Sequence, residues 1–115
     1  MMRGDIYWVD LTPRSGSEQT GHRPALIVSN DGFNATQGWN SLIIIPLSTS
    51  VSQARRGITV VPVPAGTSGL TRDCYVLCHQ ITTIHRAKFG ARIGTLPPTL
   101  LKDVEMALKA AIDLL

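Results

Sequence analysis

The sequence GSEQTGHRP at residues 16–24 connects two short apolar segments, residues 6–11 and 25–29, that are typical of β-strands. Its two glycines favour a loop over the interior of a strand or helix. The stretch also carries an acid, an amide, a histidine and an arginine, which a simple turn does not require. Because loops held between rigid strands often carry binding and catalytic groups, we interpret the rest of the chain as the scaffold that presents this loop to a ligand.

The remaining sequence predicts a small, mostly antiparallel β-barrel that ends in a helix. Strand-like runs cover residues 42–46, 58–62 and 73–83, and turn residues separate them at short intervals. We expect Pro46 to end the first of these runs or to mark an edge strand. After the Pro-Pro pair at residues 97–98, apolar residues recur three and four positions apart. This spacing predicts one amphipathic helix packed on the sheet.

Composition is consistent with one globular domain, residues 1–115. The chain has 115 residues, of which 43% are hydrophobic, so a disordered chain is excluded. Its net charge of +3 permits an anionic partner without requiring one. Between Asp73 and Asp103 there is no acidic residue, whereas histidine, arginine and lysine recur there. This basic stretch is either a phosphate-facing side or an ordinary solvated surface.

The two cysteines and the N-terminus indicate a cytoplasmic protein. Cys74 and Cys78 would lie about 13 Å apart on one strand, at roughly 3.3 Å per residue, which is too far for a disulfide. Unpaired thiols suit a reducing compartment. We expect no metal, because Cys-x3-Cys-His lacks a second pair of ligands. No signal-peptide stretch opens the chain, and the longest apolar run, residues 42–47, is too short to span a membrane.

Several motifs, taken in order along the chain, resemble the MazF/PemK family of toxin endoribonucleases. No single motif carries the resemblance, because each is short; their combined order and spacing do, over essentially the whole chain. The motifs are RGDIYWVDL at residues 3–11, GSEQ-x-G-x-RP at 16–24, LIVSND at 26–31, IPLST at 45–49, and RD at 72–73 followed by QI-x-TI at 80–84.

This resemblance implies a fold, an activity and partners. The fold is an SH3-like, PemK/CcdB-type antiparallel β-barrel with a C-terminal helix, acting as a homodimer. The activity is metal-independent, sequence-specific cleavage of single-stranded RNA without a cofactor. As the toxin of a type II toxin–antitoxin system, the protein would inhibit translation and growth until a protein antitoxin neutralises it. The cleavage motif, and the choice between messenger, ribosomal and transfer RNA, stay open.

Two interpretations from other classes also stay open. CcdB-type proteins use the same barrel to inhibit a topoisomerase without cleaving RNA, but they lack the Arg23/Ser48 pairing. A plain RNA-binding module without cleavage is the other. Incubation of a long single-stranded RNA with the protein in EDTA separates these interpretations from the endoribonuclease.

Metal-free RNA cleavage needs a base for the ribose 2′-hydroxyl, an acid for the leaving 5′-oxygen and positive charge at the phosphorus. By resemblance, Arg23 corresponds to the family's catalytic arginine. Its guanidinium stays protonated in proteins, so we assign it to the phosphate and not to proton transfer. Ser48 corresponds best to the catalytic hydroxyl, and Thr49 is a close alternative.

The residue that transfers the proton is left open between Glu18 and His79. In the family an aspartate commonly precedes the glutamine of this strand, whereas here the pair is His79-Gln80. A histidine, with an ordinary pKa of about 6.5, can act as acid or base near neutrality. It can equally hydrogen-bond a neighbour or lie along RNA. Glu18 can act as the base, contact a nucleobase edge or bind a loop amide.

The candidate RNA-binding residues share polar or basic side chains near the predicted site. They are Gln19, Thr20, His22, Thr49, Arg55, Arg56, Gln80 and Arg86. Among the aromatic residues, we assign Trp8 to the core. Phe33 and Trp39 could stack on splayed bases, but core or dimer packing is favoured for both.

Overall fold

A computed structural model describes residues 1–12, 16 and 19–114 of the chain. Its strands are β1 (Asp5–Asp10), β2 (His22–Ile27), β3 (Ser41–Ser48), β4 (Val60–Val63), β5 (Cys74–Leu77), β6 (Thr82–His85) and β7 (Phe89–Thr95). The α-helices are α1 (Asp31–Asn34) and α2 (Pro98–Ala111), and 3₁₀ segments cover Val51–Thr59, Cys78–Gln80 and Arg86–Lys88.

The strands form one antiparallel sheet whose order is β4-β5-β3-β2-β1-β7, with β6 also paired to β3. The predicted antiparallel architecture with a C-terminal helix is confirmed. Within the described residues the sheet is open rather than a closed barrel, because β4 and β7 end it without pairing to each other. Strand β3 organises the sheet, since it pairs with β2, β5 and β6.

Two apolar clusters stabilise the sheet. In the central strands, alternation sends neighbouring residues to different clusters, as with Leu26 and Ile27 of β2. Helix α2 covers the first cluster through the buried residues Val104 and Ala107. It begins with Pro98 in its first turn, where a missing N–H costs no helical hydrogen bond. No helix in the described ranges is long and apolar enough to span a membrane.

Pro46 lies inside β3, so the expectation that it ends a strand or marks an edge is wrong. On one side of β3, the pairs with β6 end at Ile44 and the pairs with β5 begin at Leu47. Pro46 falls in the interval between them, where the ladder on that side is already interrupted. Because Pro46 pairs with neither β5 nor β6, its missing N–H costs no ladder hydrogen bond on that side of β3.

The single strand predicted for residues 73–83 is also wrong, because it is divided into β5 and β6. Between the pairs Leu47–Val76 and Ile44–Thr82, β3 advances by 47 − 44 = 3 residues while the partner chain advances by 82 − 76 = 6. The 3₁₀ segment Cys78–Gln80 takes up the surplus residues. The division thus follows from the change of partner along β3.

The aromatic residues are more exposed than the sequence suggested. Trp8 is 42% exposed, so its assignment to the core is wrong. It lies opposite Pro24 at a point where the first apolar cluster opens into a cleft. Phe33 and Trp39 are each 47% exposed and stack on one another, with ring centroids 4.9 Å apart and planes inclined by 12°. Core packing is therefore wrong for this pair as well.

Candidate active-site cleft

A cleft of about 310 Å³ opens where β1, β2 and the end of β3 meet the loop that precedes β5. Its apolar part consists of buried residues of the first core cluster, including Leu47, Leu70 and Cys74. Its polar part combines arginines, hydroxyls and a histidine. The lining residues are Trp8, His22, Arg23, Pro24, Leu47, Ser48, Thr49, Gly69, Leu70, Thr71, Arg72, Cys74 and Ile93.

Arg23 is held at the start of β2 and lines this cleft. It pairs with Val9 of β1, and its Nε donates to the carbonyl oxygen of Thr20 at 3.0 Å. Gly21 lies between these two residues with a φ of 78°, a turn conformation that suits glycine. The terminal nitrogens of the guanidinium have no hydrogen-bond partner among the described residues. They remain available to an anion in the cleft.

Ser48 and Thr49 place two hydroxyl groups in the same cleft. Ser48 ends β3 opposite Tyr75 of β5 and is only 5% exposed. Its Oγ accepts a hydrogen bond from the backbone N–H of Ser50 at 3.1 Å, so its own proton is free to be donated. Thr49 is half-exposed. The structure thus brings both candidate hydroxyls together with Arg23, one held in the wall and one more open to solvent.

Arg72 also lines the cleft and was not among the site residues predicted from the sequence. It belongs to a loop that packs closely on β7: a Cβ at Gly69 would lie 2.2 Å from the carbonyl oxygen of Ile93. Asp73 fixes the end of the loop by accepting from the backbone N–H of Ala65 at 2.8 Å. The Arg-Asp pair was already a motif in the sequence, but only the fold shows that the arginine reaches the cleft.

A second polar cluster contains His79, Gln80, Gln19 and Arg56, none of which lines the cleft. The backbone N–H of Gln19 donates to Oε1 of Gln80 at 2.8 Å. This bond ties the residue before Thr20 to the 3₁₀ segment Cys78–Gln80. The Nδ1 of His79 and the Oε1 of Gln19 are buried without a hydrogen-bond partner among the described residues.

Burial, with a smaller contribution from the positive charge of Arg56, lowers the pKa of His79 below its ordinary value of 6.5. Both effects disfavour the charged imidazolium. His79 is therefore mainly neutral at pH 7, a state that can accept a proton.

The remaining candidates from the sequence are distributed around the cleft. His22 is exposed and lines it, while Thr20 contributes the carbonyl that binds Arg23. Arg55 is exposed on the 3₁₀ segment Val51–Thr59, next to Arg56. Glu18 lies outside the described residues.

Arg86 contacts backbone carbonyls of the chain, whereas the sequence placed it among the candidate RNA-binding residues. Its guanidinium donates to the carbonyl oxygens of Trp39, Phe33 and Asn34, the last at 2.6 Å. Its backbone N–H donates to the carbonyl of Asn40 at 2.7 Å. Arg86 is not a lining residue of the cleft. These contacts hold the segment between α1 and β3, and they do not support a role on RNA.

The described residues contain no group of three or more His, Cys, Asp or Glu side chains arranged to hold a metal ion. Cys74 and Cys78 are buried free thiols. Burial raises the pKa of both thiols, that of Cys78 to about 11, so Cys74, which lines the cleft, and Cys78 stay protonated near neutrality and are poor nucleophiles. The chemistry available in the cleft is therefore that of arginine, hydroxyl and imidazole groups.

Comparison with known proteins identifies one family across the chain. A family model described as a PemK-like, MazF-like toxin of type II toxin–antitoxin systems matches residues 2–112. Endoribonuclease MazF6 of Mycobacterium tuberculosis is 33% identical over 112 residues, 97% of this chain and 96% of the relative. Endoribonuclease EndoA of Bacillus subtilis is 34% identical over 113 residues, 98% of this chain and 95% of the relative.

Solved structures agree with this assignment. The Mycobacterium tuberculosis toxin MazF-mt6 superimposes with a TM-score of 0.78 at 25% identity, covering 96% of this chain and 97% of that structure. A mycobacterial endoribonuclease in complex with its cognate antitoxin gives a TM-score of 0.74 at 26% identity, covering 100% and 95%. The likeness thus extends over nearly the full length in both sequence and fold.

Proposed function

The chain belongs to the family of PemK-like, MazF-like toxins of type II toxin–antitoxin systems, and we propose that residues 1–115 form a single toxin domain that cleaves single-stranded RNA. Relatives named as endoribonucleases, similar over nearly their whole length, support this function. The main observation in support of RNA cleavage is that Arg23, Ser48 and Thr49 line the same cleft.

Arg23 binds the scissile phosphate in this proposal. Its terminal nitrogens have no competing partner among the described residues, and its Nε is fixed on the carbonyl of Thr20. A guanidinium presents planar, paired donors that match two phosphate oxygens, and its charge does not vary with pH. It therefore stabilises the extra negative charge that builds up as the phosphorus becomes five-coordinate.

The hydroxyl donor comes from Ser48 or Thr49. A hydroxyl that donates to a non-bridging phosphate oxygen adds a second stabilising contact beside Arg23. Ser48 is the better positioned of the two, because its Oγ is already oriented by the N–H of Ser50. Thr49 is the more accessible, since it is half-exposed. Single alanine variants decide between them.

The reaction transfers two protons. A base removes the proton of the ribose 2′-hydroxyl as its oxygen bonds to phosphorus, the bond from phosphorus to the 5′-oxygen breaks, and an acid protonates that oxygen. The products are a 2′,3′-cyclic phosphate and a 5′-hydroxyl. His79, neutral through its lowered pKa, is one candidate for the base, and it would act from the second cluster because it does not line the cleft itself. Glu18 is the alternative, and the pH dependence of cleavage distinguishes the two.

RNA flanking the scissile bond is bound by the polar rim of the cleft and by the second cluster. His22 borders the cleft directly. Arg55 and Arg56 add positive charge from the 3₁₀ segment Val51–Thr59. The remaining contacts come from Gln19, Thr20 and Gln80, at the end of the 16–24 loop and its anchor point.

The partners follow from the family. The protein acts as a homodimer, and a cognate protein antitoxin neutralises it, as in the mycobacterial complex of an endoribonuclease with its antitoxin. Its place of action is the cytoplasm, where translation occurs. The resulting RNA cleavage inhibits translation and growth.

Incubation of a long single-stranded RNA with purified protein in EDTA tests the function. We expect cleavage at a short sequence in EDTA, because the proposed reaction uses a guanidinium, a hydroxyl and a side-chain base and does not use a metal ion. Loss of cleavage in EDTA would contradict the metal-free mechanism. Intact RNA with and without EDTA would contradict the endoribonuclease function itself and favour an RNA-binding or topoisomerase-directed protein. Sequencing of the fragment ends identifies the motif and the preferred class of RNA.

A further inference from the structure

We propose that Trp8 and Arg72 form a nucleotide subsite next to the position of cleavage. In this subsite the indole ring of Trp8 stacks on a nucleobase, and the guanidinium of Arg72 binds a phosphate that flanks it. The inference rests on the proposed function, because it takes the cleft that contains Arg23 to be the place where RNA is bound.

Trp8 has the exposure and the surroundings of a stacking residue. It is 42% exposed inside a cleft whose apolar side is made of buried residues such as Leu47 and Leu70. Its ring stacks on no other aromatic ring of the described residues. Leaving a large indole half in water forgoes part of its burial free energy, and a stacked nucleobase restores contact to an aromatic face.

The order of the strands places Trp8 between β2, which carries Arg23, and β7, on which the loop that leads to Arg72 packs. Strand β1 lies between β2, which carries Arg23, and β7, which carries Ile93. The Trp8–Pro24 pair is next to the Val9–Arg23 pair on the β2 side. On the other side, the carbonyl of Ile93 lies directly against Gly69, in the loop that leads to Arg72. A nucleotide stacked on Trp8 thus has a cation available towards each end.

Arg72 is available to a ligand. It is exposed, lines the cleft, and its guanidinium has no hydrogen bond or ion pair within the described residues. The loop that carries it is fixed by close backbone packing at Gly69 and at Gly94, where an added Cβ would lie 2.1 Å from the carbonyl oxygen of Ser68. The base of the Arg72 side chain is therefore held in place while its charged end stays free.

The size and chemistry of the cleft fit one nucleotide unit in addition to the scissile phosphate. Its volume of about 310 Å³ falls at the small end of ligand pockets, roughly 300–1,000 Å³. Stacking accepts any base, because every base has an aromatic face. The subsite therefore contributes affinity and register, while the choice of base depends on polar groups at the rim.

Binding of a non-cleavable oligonucleotide tests the role of Trp8. The probe is the 2′-deoxy form of the mapped cleavage sequence, which lacks the attacking hydroxyl. We expect Trp8→Ala to weaken binding by roughly tenfold to a hundredfold, the usual range for loss of one stacked base, and Trp8→Phe to recover most of it. Trp39→Ala is the matched control, since Trp39 is 47% exposed but lies outside the cleft. We expect it to bind the probe within about twofold of wild type, and thermal unfolding verifies that each variant is folded.

An abasic substitution locates the stacked base. At one position of the probe, removal of the base should weaken binding to the wild type and leave binding to Trp8→Ala unchanged. In a Trp39→Phe protein Trp8 is the remaining one of the 2 tryptophans, so binding of the intact probe should quench its fluorescence. A probe without such a position, or without quenching, would contradict stacking.

Salt dependence tests the role of Arg72. We expect Arg72→Ala to lower the slope of log Kd against log salt by about 0.7, the value for one phosphate contact on a single strand. Lys102→Ala, which removes an exposed cation of α2, serves as control and should leave the slope unchanged. An unchanged slope in Arg72→Ala would exclude the phosphate contact.

The outcomes separate a failure of the subsite from a failure of the proposed function. If the wild-type protein cleaves RNA while Trp8→Ala binds the probe normally, the subsite is wrong and the proposed function stands. If the wild-type protein cleaves no RNA, the proposed function itself is wrong.

Discussion

The cleft and the corner formed by Phe33, Trp39 and Arg86 contain the same residue types in opposite states. In the cleft, a half-exposed tryptophan lies beside arginines whose terminal nitrogens have no partner among the described residues. In the corner, an equally exposed tryptophan is stacked on a phenylalanine, and the arginine donates to three backbone carbonyls. Both places look suited to RNA in the sequence.

The difference shows that free hydrogen-bonding capacity, and not residue type, separates a ligand site from a structural one. An arginine whose donors already satisfy carbonyls would leave those acceptors unpaired if it turned to a phosphate. An arginine with free donors has no such cost. This difference supports our proposal that the cleft binds an anion, whereas the contacts of Arg86 hold the chain between α1 and β3.

Replacement of Arg23 should have the largest effect on activity. We expect Arg23→Ala to reduce kcat by about a hundredfold to a thousandfold, as for the loss of one donor to transition-state charge, with little change in Tm because Arg23 is half-exposed. Arg23→Lys should recover only part of the rate, since an ammonium lacks the paired donors. Cleavage rates on a defined RNA measure this. A rate near that of wild type would remove Arg23 from the site.

Replacement of the hydroxyls should have a smaller effect. We expect alanine at the hydroxyl that contacts the phosphate to lower kcat by about tenfold to a hundredfold, and alanine at the other to lower it by less than about threefold. Ser48→Thr is the conservative control for the buried position, and Thr49→Ser is the control for the open one. Equal rates for wild type, Ser48→Ala and Thr49→Ala would exclude both hydroxyls.

Replacement of Arg86 in the corner should lower the stability of the fold and leave the rate of RNA cleavage unchanged. Arg86→Ala leaves three backbone carbonyls without their donor, and we expect it to lower the free energy of unfolding by about 1–2 kcal/mol, since water replaces part of the loss. Urea unfolding measures this change. The rate per folded molecule should stay close to that of wild type. A strong loss of RNA affinity with unchanged stability would overturn the division between corner and cleft.

The pH dependence of cleavage identifies the base. If His79 is the base, the acid limb of the pH–rate profile lies below pH 6.5, because the pKa of His79 is lowered, and His79→Asn removes that limb. If Glu18 is the base, the acid limb persists in His79→Asn and is lost in Glu18→Gln. A Glu18→Gln protein provides the reciprocal control.

The lowered pKa of His79 also makes the stability of the folded protein depend on pH. Well above pH 6.5 His79 is neutral in both the folded and the unfolded protein and contributes no pH dependence to stability. As the pH falls from about 6.5 towards the lowered pKa, the unfolded chain binds the proton more readily, so the folded protein loses stability. The unfolding free energy of wild type should thus decline more in this range than that of His79→Asn. Parallel curves would show that His79 is not held in its neutral form.

Local patterns predicted the elements that depend on neighbouring residues alone. The three- and four-residue spacing after Pro98 was sufficient for α2, and the apolar runs were sufficient for β1, β2 and β3. Order and spacing of motifs, by resemblance, selected Arg23 and Ser48, which the structure brings into one cleft.

Features that depend on distant partners were not predictable from such patterns. The break at Cys78–Gln80 arises because β3 changes partners, and neither glycine nor proline marks it. The exposure of Trp8 depends on where the core ends, because alternation alone places it on the same face as the buried Ile6. The contacts of Arg86 depend on carbonyls about fifty residues away along the chain.

Mass spectrometry of RNA fragment ends, with wild type and Arg23→Ala compared in EDTA, tests most directly the claim that this cleft cleaves RNA by 2′-hydroxyl attack. The predicted result is 2′,3′-cyclic phosphate and 5′-hydroxyl ends for wild type, at one short sequence, and at least a hundredfold fewer of them for Arg23→Ala. Fragments with 5′-phosphate ends, or equal yields from the two proteins, would contradict it.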